Sequence, residues 1–142
     1  MQAVVISRRD FRENDQIICF YSRDYGRLDL LAKGIKKITS KLSGNLTPGN
    51  LVEIEVAKGK EIDHLIKVNS VGIFKNSKYF SKQYVLNLID KLVKNQEKDE
   101  RIFSLLVSYL NFSNQPQVGS KSVVIAFLVK LLVYLGYSPQ LD

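Results

Sequence analysis

RLDLLAKGIKKITSK, residues 27 to 41, is the stretch that decides how the rest of the chain is read. Five basic residues, Arg27, Lys33, Lys36, Lys37 and Lys41, stand in its fifteen positions against a single acid, Asp29. From Arg27 to Lys33 the side chains alternate. Leu28, Leu30 and Ala32 fall on one side and Arg27, Asp29, Leu31 and Lys33 on the other, which is the period of a half-buried strand. Gly34 then releases the chain into a loop studded with lysine. A cationic loop leaving the end of a strand is a common way for a small barrel to present charge to a phosphate backbone.

Outward from that strand, Asp24, Tyr25 and Gly26 supply a tight hairpin turn, since glycine accepts positive φ without steric penalty. Ile17 to Ser22 (IICFYS) before it is apolar and aromatic, and Ala3 to Ser7 is a short β-branched run closed by Arg8, Arg9 and Asp10. On the other side, Gly34 to Asn50 holds three glycines and Pro48, so it reads as a long loop with room for a helical turn around Ile38 to Leu42. Leu51 to Ala57 places Val52, Ile54 and Val56 opposite Glu53 and Glu55, and His64 to Val71 alternates again after the turn Lys58 to Asp63. Five strands in about 72 residues, with a long connection after the third, match a small closed Greek-key barrel of the oligonucleotide-binding (OB) type; an SH3-like barrel is the alternative.

After Gly72 the period changes. Tyr84, Val85, Leu88, Ile89 and Leu92 recur at helical spacing from Ser81 onward, with Lys82, Asn87, Asp90, Lys91 and Lys94 on the opposite face. A second helix covers Ile102 to Leu110. A third runs from about Ser120 to Leu135, with Gly136 placed to stop it and Pro139 beyond. Because the third is apolar on most sides, it is expected at the centre of a bundle, and uncovered it predicts poor solubility or a dimer. The fold class is therefore α+β, a barrel domain over 1–75 followed by a three-helix domain over 76–142.

Composition limits the function classes. The chain has 142 residues, 45% of them hydrophobic and 25% charged, with a net charge of +7 and a pI near 9.5. That is ordinary globular composition with a bias toward polyanionic partners. The N-terminus lacks a secretory pattern and no apolar run approaches the ~20 residues that cross a bilayer, so the expectation is a cytoplasmic, nucleoid-associated protein with no membrane partner. Cys19 is the only cysteine and His64 the only histidine, which rules out a disulfide within the chain or a metal cluster built from Cys and His. His64 at a strand start has no nucleophile near it in sequence, and Glu53 with Glu55 finds charge balance in Lys58 and Lys60. The segment Gly34 to Gly49 lacks the spacing of a phosphate-binding loop. No enzymatic activity and no cofactor are expected.

Several runs in this order carry a resemblance. They are Ala3 to Arg9 with Phe11 and Asn14-Asp15; Phe20-Tyr21-Ser22 to Gly26-Arg27-Leu28; Ala32-Lys33-Gly34-Ile35-Lys36-Lys37; and Lys41-Leu42, Gly44, Leu46 and Pro48. Together they resemble the N-terminal half of the bacterial DNA repair family RecO, and Leu135 to Asp142 resembles the segment ahead of that family's zinc-binding cysteines. The resemblance implies an OB barrel followed by a helical domain. It also implies a recombination mediator that binds single- and double-stranded DNA, anneals complementary strands and works with RecR to load RecA onto strands coated by single-stranded DNA-binding protein. The sequence stops where the zinc module would begin, which implies a truncated or naturally short form, a helical domain incomplete relative to the family, and no bound metal.

By matching position, Lys33, Lys36, Lys37 and Lys41 are implied phosphate contacts, with Arg27 on the solvent side of its strand. Arg8 and Arg9 close the first strand and are candidates for the same face, and Arg23 sits at the hairpin. Phe20, Tyr21 and Tyr25 are the candidates for base stacking, although alternation assigns at least one of Phe20 and Tyr21 to the core. Two other readings of the basic face stand beside this one: an adaptor that docks RecR or the acidic tail of single-stranded DNA-binding protein, and an RNA-binding OB protein.

Overall fold

The computed structural model describes residues 1–37, 43–74, 82–94, 96–111 and 120–137. Strands β1 (Gln2–Asp10), β2 (Gln16–Ser22), β3 (Gly26–Ala32), β4 (Leu51–Ala57) and β5 (His64–Gly72) are followed by helices α1 (Lys82–Leu92), α2 (Glu100–Asn111) and α3 (Ser120–Tyr134). The strands close into a barrel in the order β1-β2-β3-β5-β4. β5 lies between β3 and β4 and runs parallel to β3, meeting it at Leu31 and His64. This crossing makes an OB-type barrel and sets the SH3-like alternative aside.

The period of two seen in the sequence sorts the strands into two cores. Ala3, Val5, Ile18, Phe20, Leu30 and Ile54 fill the barrel. Their neighbours Val4, Ile6, Cys19 and Tyr21 point outward and are buried as well, against Val85, Leu86 and Ile89 of α1 and Ile102 and Leu106 of α2. β1 and β2 are therefore covered on both faces, which is why their sequences are apolar at successive positions. Burying a side chain such as Ile18 or Phe20 contributes about 2 kcal/mol relative to leaving it in water.

One boundary differs from the sequence reading. β1 does not stop at Ser7: it continues through Arg8, Arg9 and Asp10, which pair with Ile18, Ile17 and Gln16 after a bulge between Val5 and Ser7. Its charged end stays in the ladder because backbone bonding does not depend on side-chain polarity. A 3-10 turn lies at Ser43–Asn45, and the helical turn expected around Ile38 to Leu42 lies outside the described residues.

α3 lies between the two outcomes its sequence allows, a helix packed at the centre of a bundle and one left uncovered. Phe127 and Leu131 are buried and the Phe127 ring packs 4.8 Å from that of Tyr109. The positions Ile125, Val129 and Val133, one turn apart along a single stripe, are instead 62%, 50% and 47% exposed. α2 packs against one side of this all-round apolar helix and leaves the opposite stripe uncovered. No helix among the described residues is long and apolar enough to cross a membrane.

Candidate nucleic-acid interface

The outer surface of the barrel is divided along β3. At the Ala32 end, the register aligns Arg9 with Ile17 and Ile17 with Leu31, and Leu31 with His64 of β5. Facing pairs share a side of the sheet, so these four residues form an outward row across four strands. The β1–β2 turn brings Arg12 to this row and the β4–β5 turn brings Lys60, Glu61 and Ile62. With Leu31, Lys33 and His64 they line a cleft of about 310 Å³. Its lining combines the aliphatic Leu31 and Ile62 with three cations and one acid, Glu61.

Local bonding fixes both turns. The buried carboxylate of Asp15 accepts a 2.7 Å hydrogen bond from the Gly34 amide, the Phe11 amide donates to the Asp15 carbonyl at 3.0 Å, and the Lys36 amide donates to the Asn14 carbonyl at 3.0 Å. The β1–β2 turn and the loop after β3 are thus tied together. Arg12 at the turn's tip has φ 61°, and its guanidinium lies 4.9 Å from the centre of the Phe11 ring. A left-handed conformation is uncommon away from glycine and marks the position as one the surrounding turn holds in place.

Across the cleft, the Leu31 amide donates to the Asp63 carbonyl at 2.9 Å and the Gly59 amide donates to the Asp63 carboxylate at 3.2 Å. A Cβ on Gly59 would come within 2.0 Å of the Ile62 carbonyl oxygen and 2.8 Å of the His64 ring, so only glycine allows this turn to fold.

Arg8 and Lys36 join a second, more engaged set. The Arg8 Nε donates to Gln16 Oε1 at 2.9 Å, Gln16 Nε2 donates to Asp10 Oδ1 at 3.0 Å, and Lys36 Nζ pairs with Asp10 Oδ2 at 2.9 Å. Gln16 and then Lys36 hold the Asp10 carboxyl below the ordinary carboxylate value. Arg9, Lys33 and Lys37 are exposed, and no ion pair involves them among the described residues. Lys41 lies outside the described residues.

The Gly26 end of β3 is built differently. Arg27 stands on the helix side of β3 rather than the solvent side expected of it. Its Nη2 pairs with Asp90 Oδ1 at 2.8 Å, while Nη1 donates to the Asp90 and Val93 carbonyls at 2.9 and 3.3 Å. The guanidinium therefore closes the C-terminal turn of α1, where a cation also opposes the helix dipole. Arg23, at the β2–β3 turn, faces Glu100 at 3.9 Å on the helix side of the barrel. Cys19 lies under α1 opposite Asp29, and burial first of all pushes its thiol up to about 12, so it is not a reactive nucleophile.

The stacking candidates divide in the same way. Phe20 is interior, Tyr21 is 1% exposed beneath the helices, and Tyr25, although exposed, is on the β2–β3 turn away from the cleft. Burial also raises the Tyr21 phenol.

Sequence reading misses Arg12, Phe11 and Lys60, and treats His64 as a turn residue. Their meeting depends on the parallel pairing of β3 with β5, which no local pattern announces. Glu53, weighed as a partner of Lys58 or Lys60, instead pairs with the Met1 amine at 2.7 Å. Among the described residues no group of three or more His, Cys, Asp or Glu side chains is placed to hold a metal ion.

Comparison with known proteins places this architecture. Residues 1–74 match the family described as Recombination protein O N terminal, and residues 77–142 the one described as Recombination protein O C terminal. The chain is 30% identical to the DNA repair protein RecO of Pelotomaculum thermopropionicum, over 99% of this chain and 56% of that protein. It is also 30% identical to RecO of Desulforamulus reducens, over 99% and 56%, and 24% identical to RecO of a Thermoanaerobacter species, over 99% and 59%. The chain therefore spans somewhat more than half the length of these relatives. With both family matches falling in order along a barrel and a helical part, this chain belongs to the RecO family.

Proposed function

We propose that the chain serves DNA repair as a non-catalytic protein that binds nucleic acid through residues 1–75, gripping phosphates without reading sequence. The observation that carries this reading is the convergence of Arg12, Lys33 and Lys60 around one cleft on a barrel of the oligonucleotide-binding type, with Arg9 in the outward row that adjoins it and Lys37 exposed on the loop that carries Lys33. Phosphate contacts release condensed counterions and are the same for every base, which suits annealing and mediator work. Family membership supports the further steps: annealing of complementary strands, and cooperation with RecR in loading RecA onto strands covered by single-stranded DNA-binding protein.

Five phosphate contacts on a single strand correspond to a log–log salt slope of about −3.5, or a loss of about a hundredfold in affinity between about 50 and 200 mM salt. The test is a salt series on labelled single strands and duplexes with the wild type and a K33E/K37E/K60E variant. The expected result is a slope shallower by about 2 units and weaker binding to both forms. An unchanged affinity and slope would overturn the reading, and so would a variant that loses only RecR binding. A marked preference for structured RNA over both DNA forms would do the same.

A further inference from the structure

We infer that Asp15 is a positioning residue of the basic surface: its buried carboxylate fixes the turn that carries Arg12 against the loop that carries Lys33, Lys36 and Lys37, so that cations of both segments meet one strand together. The inference rests on the phosphate-binding reading above and deepens it.

Asp15 is 7% exposed, whereas Arg12, Glu13 and Asn14 before it and Lys33, Lys36 and Lys37 across from it are all exposed. An acid among phosphate-binding cations weakens binding by its charge alone, so a favourable effect of this one has to come from what it holds in place. Three bonds join its turn to the loop after β3. The Asp15 carboxylate accepts from the Gly34 amide at 2.7 Å, the Asn14 carbonyl accepts from the Lys36 amide at 3.0 Å, and the Asp10 carboxylate pairs with Lys36 at 2.9 Å. The first is charge-assisted and comes from a buried side chain.

Neither segment depends on that bond to reach the barrel. The β1–β2 ladder runs as far as Asp10 and Gln16, Ile35 is buried in the barrel core, and the Lys37 amide closes its own turn on the Gly34 carbonyl at 3.1 Å. What the carboxylate adds is a fixed spacing between the two tips, with Arg12 on one and Lys33 beside the other. Segments held in place before binding do not have to be ordered on the strand, and that ordering otherwise subtracts from affinity. With the tie cut, the same cations reach the same phosphates, so affinity falls while the number of counterions released does not.

The test measures Asp15→Asn, Asp15→Glu and Asp15→Ala on the full chain with a labelled single strand over a salt series, at a temperature where urea curves show each variant folded. Asp15→Asn keeps an acceptor oxygen for the Gly34 amide and loses the charge. Asp15→Glu keeps the charge and moves the acceptor by a methylene, and Asp15→Ala loses both. Asp15→Asn is expected to bind within about twofold of wild type, and the other two about tenfold more weakly, with all three salt slopes within about half a unit of wild type. A role confined to charge would instead raise affinity for Asp15→Asn and Asp15→Ala alike and leave Asp15→Glu unchanged. A role confined to stability would lower the unfolding free energy without weakening binding by the folded protein. Either of these results overturns the inference, as does failure of both Asp15→Ala and Asp15→Glu to fold; if only one of them folds, that one decides. If K33E/K37E/K60E weakens binding and no Asp15 variant does, the positioning role falls and the phosphate reading stands; if the charge reversals also have no effect, both fall.

Discussion

Arg27 near one end of β3 and Lys33 just beyond the other are about 20 Å apart at ~3.3 Å per residue, yet they do different work. Arg27 meets a carboxylate and two helix carbonyls from residues more than sixty positions later in the chain, and its side chain is only 16% exposed. Lys33 meets an open cleft bordered by other cations. The difference shows that a basic residue's role is set by what the fold brings opposite it, not by its place in a cluster. One end of the strand holds the barrel to the helices, and the other is left for a partner.

Substitution at the two ends is expected to separate stability from binding. Arg27→Met leaves the Asp90 carboxylate and the Val93 carbonyl without the guanidinium that meets them, and it should lower unfolding free energy in urea by about 2 kcal/mol, with DNA affinity of the folded protein unchanged. Lys33→Glu should do the reverse, with stability within about 0.5 kcal/mol of wild type and single-strand affinity reduced about tenfold. Matching phenotypes at the two positions would break the comparison.

A smaller effect is expected at Asp10, the acid that engages Lys36. Asp10→Asn removes a negative charge from the binding side and frees a lysine, so single-strand affinity at low salt should rise about twofold. The same carboxyl has a pKa below its ordinary value, so its contribution to stability is present above that value and lost as the pH falls through the lowered one. A urea titration repeated from about pH 6 to about pH 3 should therefore show a slightly flatter acid limb for Asp10→Asn than for wild type.

How much of this is legible in the sequence follows from how local each cause is. The strands are legible because one face of each fills the barrel, and Leu28, Leu30 and Ala32 show it directly. The doubled burial of β1 and β2 shows only as unbroken apolar runs, whose second partner is a helix far along the chain. Lys33 and Lys37 are legible as exposed cations because their loop is polar. Arg27 looks the same in sequence, and only the docking of α1 distinguishes it. Arg12 and Lys60 lie in unrelated turns until β5 pairs with β3. The exposed stripe on α3 is hidden for the opposite reason: apolar residues on every side of a helix do not say how many neighbours it has.

The most direct measurement of the central claim is the map of backbone amide NMR shifts on titrating a short single-stranded oligonucleotide into the isotope-labelled chain at low salt. Shifts concentrated at Arg9, Arg12, Leu31, Lys33, Lys60 and His64, with Tyr21, Arg27 and Asp29 unmoved, are the predicted result. Shifts centred on Arg23, Arg27 and the exposed side of α1, with the cleft unmoved, would contradict it.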